Sequence, residues 1–170
     1  MNTPMRFILA AALCVGVAAC AKKATVVESQ PDARPVAPDT TSAVDDGMYG
    51  PEDLETVACL RQRVVYFDFD RADIRSEAQD ILACHGKYLR DRPSAQVSLE
   101  GHADERGTRE YNLGLGERRG NAVSSALQAN GGSGGQLNTV SYGEERPVAE
   151  GNEESAWSQN RRVEIVYTAK

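Results

Sequence analysis

The spacing of apolar and polar residues predicts alternating strands and helices from about residue 53 to the end of the chain. Strands are indicated where apolar and polar residues alternate, or where β-branched and aromatic residues cluster. Four segments show this pattern: residues 63–67, 97–102, 137–142 and 163–167. Helices are indicated where apolar residues recur every three or four positions, and three segments qualify: residues 76–89, 111–128 and, more polar, 153–159.

The order of these elements sets the expected fold class. Strand, helix, strand and helix are followed by two more strands with a short helix between them. This order predicts an α/β fold, a βαβα-ββ sandwich with a mixed four-stranded sheet and helices packed on one face. At the start of the first helix, Ser76 is the predicted N-cap, and Gln79 would complete a capping box.

The segment before the domain begins with a predicted signal peptide over residues 1–19. A positive start precedes an apolar run that ends in small residues, and the run is shorter than the roughly 20 residues of a membrane helix. The small residues before Cys20 are typical of a bacterial lipobox, in which the cysteine carries the lipid anchor; an ordinary secretory signal is the alternative. The residue after the cysteine is Ala21 and not the aspartate that usually retains such lipoproteins in the inner membrane. This favours the outer membrane.

Residues 20–52 are predicted to be the lipidated N-terminus and a disordered linker. They contain four prolines and almost no large apolar residues, so they cannot bury enough surface to fold. Residues 53–170 remain as one domain of ordinary size. The formal net charge of −6 argues against nucleic acid as a partner, because binding it requires a basic surface.

The cysteines that would remain in the mature chain suggest a disulfide. Cys14 lies in the signal segment and Cys20 would be lipidated, which leaves Cys59 and Cys84. An even number of cysteines in an oxidising compartment favours a bridge between them. Two free buried thiols or a redox pair are the alternatives, although the spacing is far from CxxC.

One charged residue falls in the apolar stripe of the second long helix. Arg119 lies four residues after Leu115 and four before Val123, whereas Arg118 is displaced by about 100° and should face water. A buried guanidinium is expected to have a carboxylate partner, and Asp104 and Asp70, at carboxyl ends of strands, are the candidates.

Two interpretations of Arg119 follow from the pattern. In one, the arginine and an aspartate form a structural salt bridge that fixes a loop. In the other, carboxylates and a guanidinium line a shallow pocket that complements an amino-acid zwitterion, since a carboxylate accepts from an ammonium and arginine binds a carboxylate. The two are compatible, because a ligand with both charges could rearrange the pair.

Six short motifs stand out in the predicted domain: VYFDFD at 65–70, EGHADERGT at 100–108, YN at 111–112, LGERR at 115–119, VSYG at 140–143 and NRR at 160–162. Together they resemble the OmpA-like domain family, and within it the peptidoglycan-associated lipoproteins. The resemblance covers roughly residues 62–168.

The resemblance implies a binding protein of the cell envelope, not an enzyme, and no cofactor. Its ligand would be peptidoglycan, bound non-covalently through the diaminopimelate of the stem peptide. Asp104 and Arg119 match the positions that hold the zwitterion, and Phe69, Asp70 and Leu115 match positions that line the pocket. The domain would lie in the periplasm, anchored to the outer membrane, with TolB and other Tol components as partners in envelope integrity and cell division.

Alternative chemistry has little support in the sequence. His102, Asp104, Glu105 and His85 could be imagined as a metal or acid–base set, but no further ligands occur at zinc-like spacing. His85 lies on the apolar stripe of the first long helix and is expected to be a packed core histidine. Hydrolysis of the wall would need a nucleophile or paired catalytic acid, and neither is evident.

Overall fold

The computed structural model describes residues 47–170. The predicted signal peptide 1–19, the predicted lipidation site Cys20 and most of the predicted linker 20–52 lie outside the described residues. The helices and strands are α1 (Asp53–Thr56), α2 (Ala58–Arg61), β1 (Val64–Tyr66), α3 (Ser76–Asp91), β2 (Gln96–His102), α4 (Arg109–Ala129), β3 (Leu137–Gly143), α5 (Glu154–Asn160) and β4 (Arg162–Ala169), with a 3₁₀ turn (Gly134–Gln136) before β3. Within residues 47–170, none of the helices has both the length and the apolar character that a membrane span requires.

The four strands form one mixed sheet in the order β1-β4-β2-β3. β4 pairs antiparallel with both β1 and β2, and β2 pairs parallel with β3. The prediction of a mixed four-stranded sheet is confirmed. β4, which comes last in the sequence, lies between β1 and β2. Its pairing with β1 therefore joins the first and last strands of the domain.

The core lies between the sheet and the long helices α3 and α4. Its fully buried members come from both layers: Leu82, Leu89, Val97, Leu99, Val123, Leu127, Val163 and Ile165. α4 lies so close to β2 that a Cβ atom placed on Gly101 would be only 2.0 Å from the carbonyl oxygen of Gly116. This close approach brings the first turns of α4 next to the carboxyl end of β2.

A disulfide joins Cys59 to Cys84, the pair expected from the cysteine count. It connects α2 to α3 across a sequence separation of 25 residues. Closing a loop of this size stabilises the folded state by about 3 kcal/mol in the chain-entropy account. Two short helices that the sequence pattern did not predict, α1 and α2, are therefore tied to the core; Leu54 and Leu60 are also buried there.

The predicted cap of α3 is wrong. Arg75 occupies the N-cap position and makes no side-chain cap hydrogen bond, while Ser76 is the first helical residue. The Ser76 hydroxyl instead lies 3.3 Å from a Glu77 carboxylate oxygen. The capping box occurs elsewhere, at the 3₁₀ turn, where Ser133 and Gln136 exchange side-chain to backbone hydrogen bonds.

His85 is a core residue, as its place on the apolar stripe predicts. It is fully buried, with Nδ1 2.8 Å from the Tyr167 hydroxyl and Nε2 3.0 Å from the Gln62 carbonyl oxygen. Burial lowers the pKa of His85 to about 4, so the ring is neutral near pH 7.

Candidate ligand-binding pocket

The loops at one end of the sheet enclose a cavity of about 210 Å³ beside the start of α4. The loop between β1 and α3 contributes one wall, the loop after β2 contributes a second, and the first turns of α4 form the base. The lining residues are Phe69, Asp70, Asp104, Arg106, Gly107, Tyr111, Leu115 and Arg119. The cavity therefore has two carboxylates, two guanidinium groups and apolar or aromatic surfaces.

All five residues predicted to form a site line this one cavity. Asp104 and Arg119 come from different elements, the loop after β2 and α4, and Leu115 lies one helical turn before Arg119. Phe69 and Asp70 come from the loop after β1. The prediction grouped residues that are up to 50 positions apart in the chain, and the fold brings them together.

The expected ion pair between Arg119 and an aspartate does not form within the described part of the chain. Arg119 is fully buried, and its guanidinium donates to three backbone carbonyl oxygens instead: those of Arg71 at 2.8 Å, Asp68 at 3.0 Å and His102 at 2.8 Å. Backbone carbonyl groups thus take the role expected of a carboxylate partner. The helical pattern of the sequence could not indicate these acceptors. Arg118, as predicted, is exposed.

Burial lowers the pKa of Arg119, but the side chain stays positively charged at neutral pH. Desolvation lowers the pKa of its guanidinium to about 10, and the nearby Asp104 acts in the opposite direction. The group therefore remains charged at neutral pH. Since three donors are occupied by carbonyls and a guanidinium has five, Arg119 keeps capacity to bind an anion in the cavity.

Asp104 is buried and is held by two other arginines. Arg106 donates from Nε to Oδ1 at 3.1 Å and from Nη2 to Oδ2 at 2.6 Å, while Nη1 of Arg161 lies 3.3 Å from Oδ2. The backbone amide of Arg106 also donates to Oδ1, at 3.1 Å. Burial alone would raise the pKa of Asp104, but the hydrogen bonds from Arg106 outweigh it and hold the pKa below its ordinary value.

The guanidinium of Arg106 lies between two aromatic rings. Its central carbon is 3.9 Å from the ring centroid of Phe69 and 4.1 Å from that of Trp157. Such stacking is favourable for the planar cation. Arg106 was not among the predicted site residues. Its position two residues after Asp104, inside the most charged motif of the chain, was the signal that could have found it.

Asp70 and Tyr111 close the outer side of the cavity. The Tyr111 hydroxyl donates to an Asp70 carboxylate oxygen, which links the loop after β1 to the first turn of α4. Asp70 has a left-handed backbone, with φ of 56°, a conformation that aspartate tolerates better than most residues. Thr108 caps α4 by accepting from the Tyr111 amide at 3.2 Å, which fixes the turn that carries Tyr111.

The NRR motif fixes the loops behind the cavity. Arg161 donates to the Phe67 carbonyl at 3.0 Å as well as to Asp104. Asn160 accepts from the amides of Val148 and Ala149 and donates to the Ala149 carbonyl. These contacts attach the motif to the residue after β1 and to the loop at residues 148–149.

The four residues considered as a metal or acid–base set, His85, His102, Asp104 and Glu105, do not form one site. His85 lies in the core, where it contacts Tyr167, and it does not line the cavity. His102 stacks on Tyr142 at 5.5 Å between ring centroids. Glu105 accepts from the Trp157 indole at 3.1 Å. Among residues 47–170, no three histidine, cysteine or acidic side chains are grouped so that they could hold a metal ion.

Comparisons with known proteins show the family to which the chain belongs. The profile of the OmpA family matches residues 66–161. The peptidoglycan-associated lipoprotein of Haemophilus influenzae is 50% identical over 114 residues, covering 66% of this chain and 74% of that protein. The protein of the same name from Pseudomonas putida is 49% identical over 125 residues, covering 74% and 72%.

A solved structure extends the agreement to the fold. The crystal structure of the peptidoglycan-associated lipoprotein from Burkholderia pseudomallei superimposes with a TM-score of 0.66 at 42% sequence identity. It covers 68% of this chain and 98% of that one.

Proposed function

Because the chain belongs to the OmpA family, and within it to the peptidoglycan-associated lipoproteins, we propose that its domain binds peptidoglycan non-covalently. The contact is the diaminopimelate residue of the stem peptide, whose free end carries an ammonium and a carboxylate. Asp104 accepts from the ammonium and Arg119 donates to the carboxylate. Phe69, Asp70 and Leu115 form the walls around the ligand.

One observation carries this proposal. Five residues with complementary charges and apolar surfaces, drawn from three separate segments, line a single cavity of about 210 Å³. A cavity of this size suits an amino-acid side chain better than a whole disaccharide. The burial of Asp104 and Arg119 strengthens their interactions with a charged ligand, because water competes less there.

Family membership also confirms the prediction that the chain is not an enzyme. Membership of this family therefore argues against a wall hydrolase. A binding domain would hold the cell wall without releasing fragments from it. Co-sedimentation of the purified domain with peptidoglycan sacculi, with no soluble muropeptides released, is the expected outcome.

The sharpest test replaces each pocket carboxylate by its amide. Asp104→Asn and Asp70→Asn keep the shape of the side chain and remove the charge, so we expect each to reduce sacculus binding at least tenfold. Asp70 is exposed and in a left-handed conformation that asparagine also tolerates, so its replacement should not disturb the fold.

Asp73→Asn is the matched control. Asp73 is an exposed aspartate three residues beyond Asp70, where it pairs with Arg71 at 3.5 Å outside the cavity. Its replacement changes net charge by the same amount and should leave binding unchanged. Full binding by Asp104→Asn, or equal loss in all three variants, would contradict the assigned pocket.

The remaining parts of the proposal concern location and partners. We place the domain in the periplasm, anchored to the outer membrane through lipid on Cys20, and coupled to TolB and other Tol components in envelope integrity and cell division. The names of the relatives support the lipoprotein assignment. Palmitate labelling of the full chain should disappear in Cys20→Ser, and TolB should be recovered with the native protein from cross-linked envelopes; persistent labelling would refute the anchor.

A further inference from the structure

The cation-binding side of the pocket is already occupied by a residue of the pocket itself. Arg106 makes two side-chain hydrogen bonds to Asp104, the carboxylate to which the proposed function assigns the ligand's ammonium. Both oxygens of Asp104 are thereby engaged. A ligand ammonium cannot take up this position while the guanidinium is there.

Arg106 differs from Arg119 in its freedom to move. The Arg119 side chain is completely buried and its donors are held by three backbone carbonyls. The Arg106 side chain is 29% exposed, and apart from Asp104 it contacts ring faces and a Glu154 oxygen at 3.7 Å. Ring faces allow a planar guanidinium to slide or rotate, because stacking has little directional preference within the plane.

Asp104 would remain oriented after the Arg106 side chain leaves. The backbone amide of Arg106 donates to Oδ1, and Arg161 donates to Oδ2. Neither contact depends on the position of the Arg106 side chain. The carboxylate is therefore prepared to accept a replacement cation in place of the guanidinium.

We propose that Arg106 is a specificity-determining residue of this pocket, an internal counter-ion that the ligand's ammonium must displace from Asp104. The inference rests on the proposed function and adds a selection rule to it. A ligand that brings only an ammonium gives the displaced guanidinium no new anion beyond the Glu154 carboxylate, which already lies 3.7 Å from it. A ligand that brings an ammonium and a neighbouring carboxylate gives the guanidinium a new partner at once.

The rule separates two kinds of stem peptide. Diaminopimelate and lysine present the same ammonium at the end of the same aliphatic chain, but only diaminopimelate has a carboxylate beside it. With Arg106 in place, the lysine peptide must break two charge-assisted hydrogen bonds between Arg106 and Asp104, and it replaces them only with those of its own ammonium to Asp104. The diaminopimelate peptide exchanges one ion pair for two.

The test uses two synthetic stem pentapeptides that differ only in diaminopimelate or lysine at the third position. Isothermal titration calorimetry gives the dissociation constant of each for the domain over residues 47–170. We expect the preference for the diaminopimelate peptide to fall about tenfold in Arg106→Gln, chiefly because the lysine peptide binds more tightly. Arg109→Gln is the control, since Arg109 is an exposed arginine three residues after Arg106 and pairs with Glu145 outside the cavity.

The fluorescence of the unsubstituted protein provides a second measurement. Trp157 is the only tryptophan of the chain and lies 4.1 Å from the Arg106 guanidinium. Displacement of Arg106 should change the Trp157 fluorescence when the diaminopimelate peptide binds. This change should be reduced at least by half in Arg106→Gln.

The outcomes distinguish the inference from the function on which it rests. If neither peptide binds the unsubstituted domain, the proposed function fails. If the diaminopimelate peptide binds but the preference is the same in Arg106→Gln and Arg109→Gln, the role of Arg106 is refuted. Calorimetric binding with no change in Trp157 emission would refute it as well, because the guanidinium would not have moved.

Discussion

At the scale of single residues, Arg119 connects the stability of the domain with its pocket. Its guanidinium binds the carbonyls of Asp68 and Arg71, which flank the pocket residues Phe69 and Asp70, and the carbonyl of His102 at the end of β2. The same side chain thus fixes two walls of the cavity and faces it. Loss of ligand binding in an Arg119 variant would therefore combine a lost contact with a displaced loop.

We predict that Arg119→Lys destabilises the fold even though the charge is kept. Lysine has a single ammonium and cannot reach three carbonyls that a planar guanidinium spans, so at least one buried acceptor loses its donor. Hydrogen bonds to charged groups contribute about 1.5–3 kcal/mol each, so a decrease of roughly 3 kcal/mol in the free energy of unfolding is expected.

Urea unfolding of the purified domain measures this effect. Arg118→Lys is the matched control, because Arg118 is the exposed neighbour on the same helix. Exposed substitutions of this kind usually change stability by less than about 0.5 kcal/mol. Equal midpoints for the two variants would show that the carbonyl contacts of Arg119 do not stabilise the fold.

At the residue level, the sequence indicated several of the residues that line the cavity, but it did not indicate which groups those residues contact. Helical periodicity placed Arg119 in the buried stripe, and the motifs pointed to Asp104. The partner of Arg119 was wrong, because carbonyl groups at loop ends are present at every residue and leave no signal in the sequence. Arg106 was missed for a related reason: stacking between Phe69 and Trp157 depends on two rings far apart in the chain.

At the scale of helices and strands, the periodicity of apolar residues predicted the position of an element where that element is long and buries only one face. α4 extends over 21 residues and β2 over seven, and both lie within two residues of the predicted segments. α1 and α2 have four residues each, too few for a repeat to show. Their position depends on Leu54, Leu60 and the disulfide, which are tertiary contacts.

The glycine-rich segment after α4 shows how a polar residue can anchor a loop that has little apolar surface. The side-chain amide of Gln136 donates to three carbonyls, those of Leu89 at 3.0 Å, Arg92 at 2.9 Å and Ala95 at 3.2 Å. Gln136 is 5% exposed, so these bonds are shielded from water. They attach the turn before β3 to the end of α3, a connection that the pattern of apolar residues could not indicate.

At the scale of the whole molecule, two buried histidines make the stability of the domain dependent on pH. The second, His102, lies in the sheet with neither ring nitrogen hydrogen-bonded within the described residues, and Glu164 is 3.9 Å away. Burial lowers its pKa to about 4, and the positive charge of Arg162 acts in the same direction. Both histidines of the chain are therefore neutral in the folded state until the solution is strongly acidic.

The sign of the pH effect follows from proton uptake on unfolding. In the unfolded chain a histidine titrates near pH 6.5, so between pH 6.5 and about 4 the unfolded state binds protons that the folded state does not. Stability is fully present above pH 6.5 and falls as the solution is acidified through this window. Each histidine can contribute a loss of up to about 2 kcal/mol between pH 7 and pH 5.

We expect His102→Phe to flatten this decline. Phenylalanine keeps an aromatic ring against Tyr142 and cannot take up a proton, so one of the two histidine contributions disappears. The window from pH 6.5 to 5 isolates the histidines, because the carboxylates whose pKa is lowered from the ordinary 3.8, such as Asp104 and Asp91, lose their stabilising contribution below about pH 5. Urea unfolding at pH 7, 6 and 5 should show a slope about half that of the unsubstituted domain; an unchanged slope would mean that His102 is protonated in the folded state or buried equally in the unfolded one.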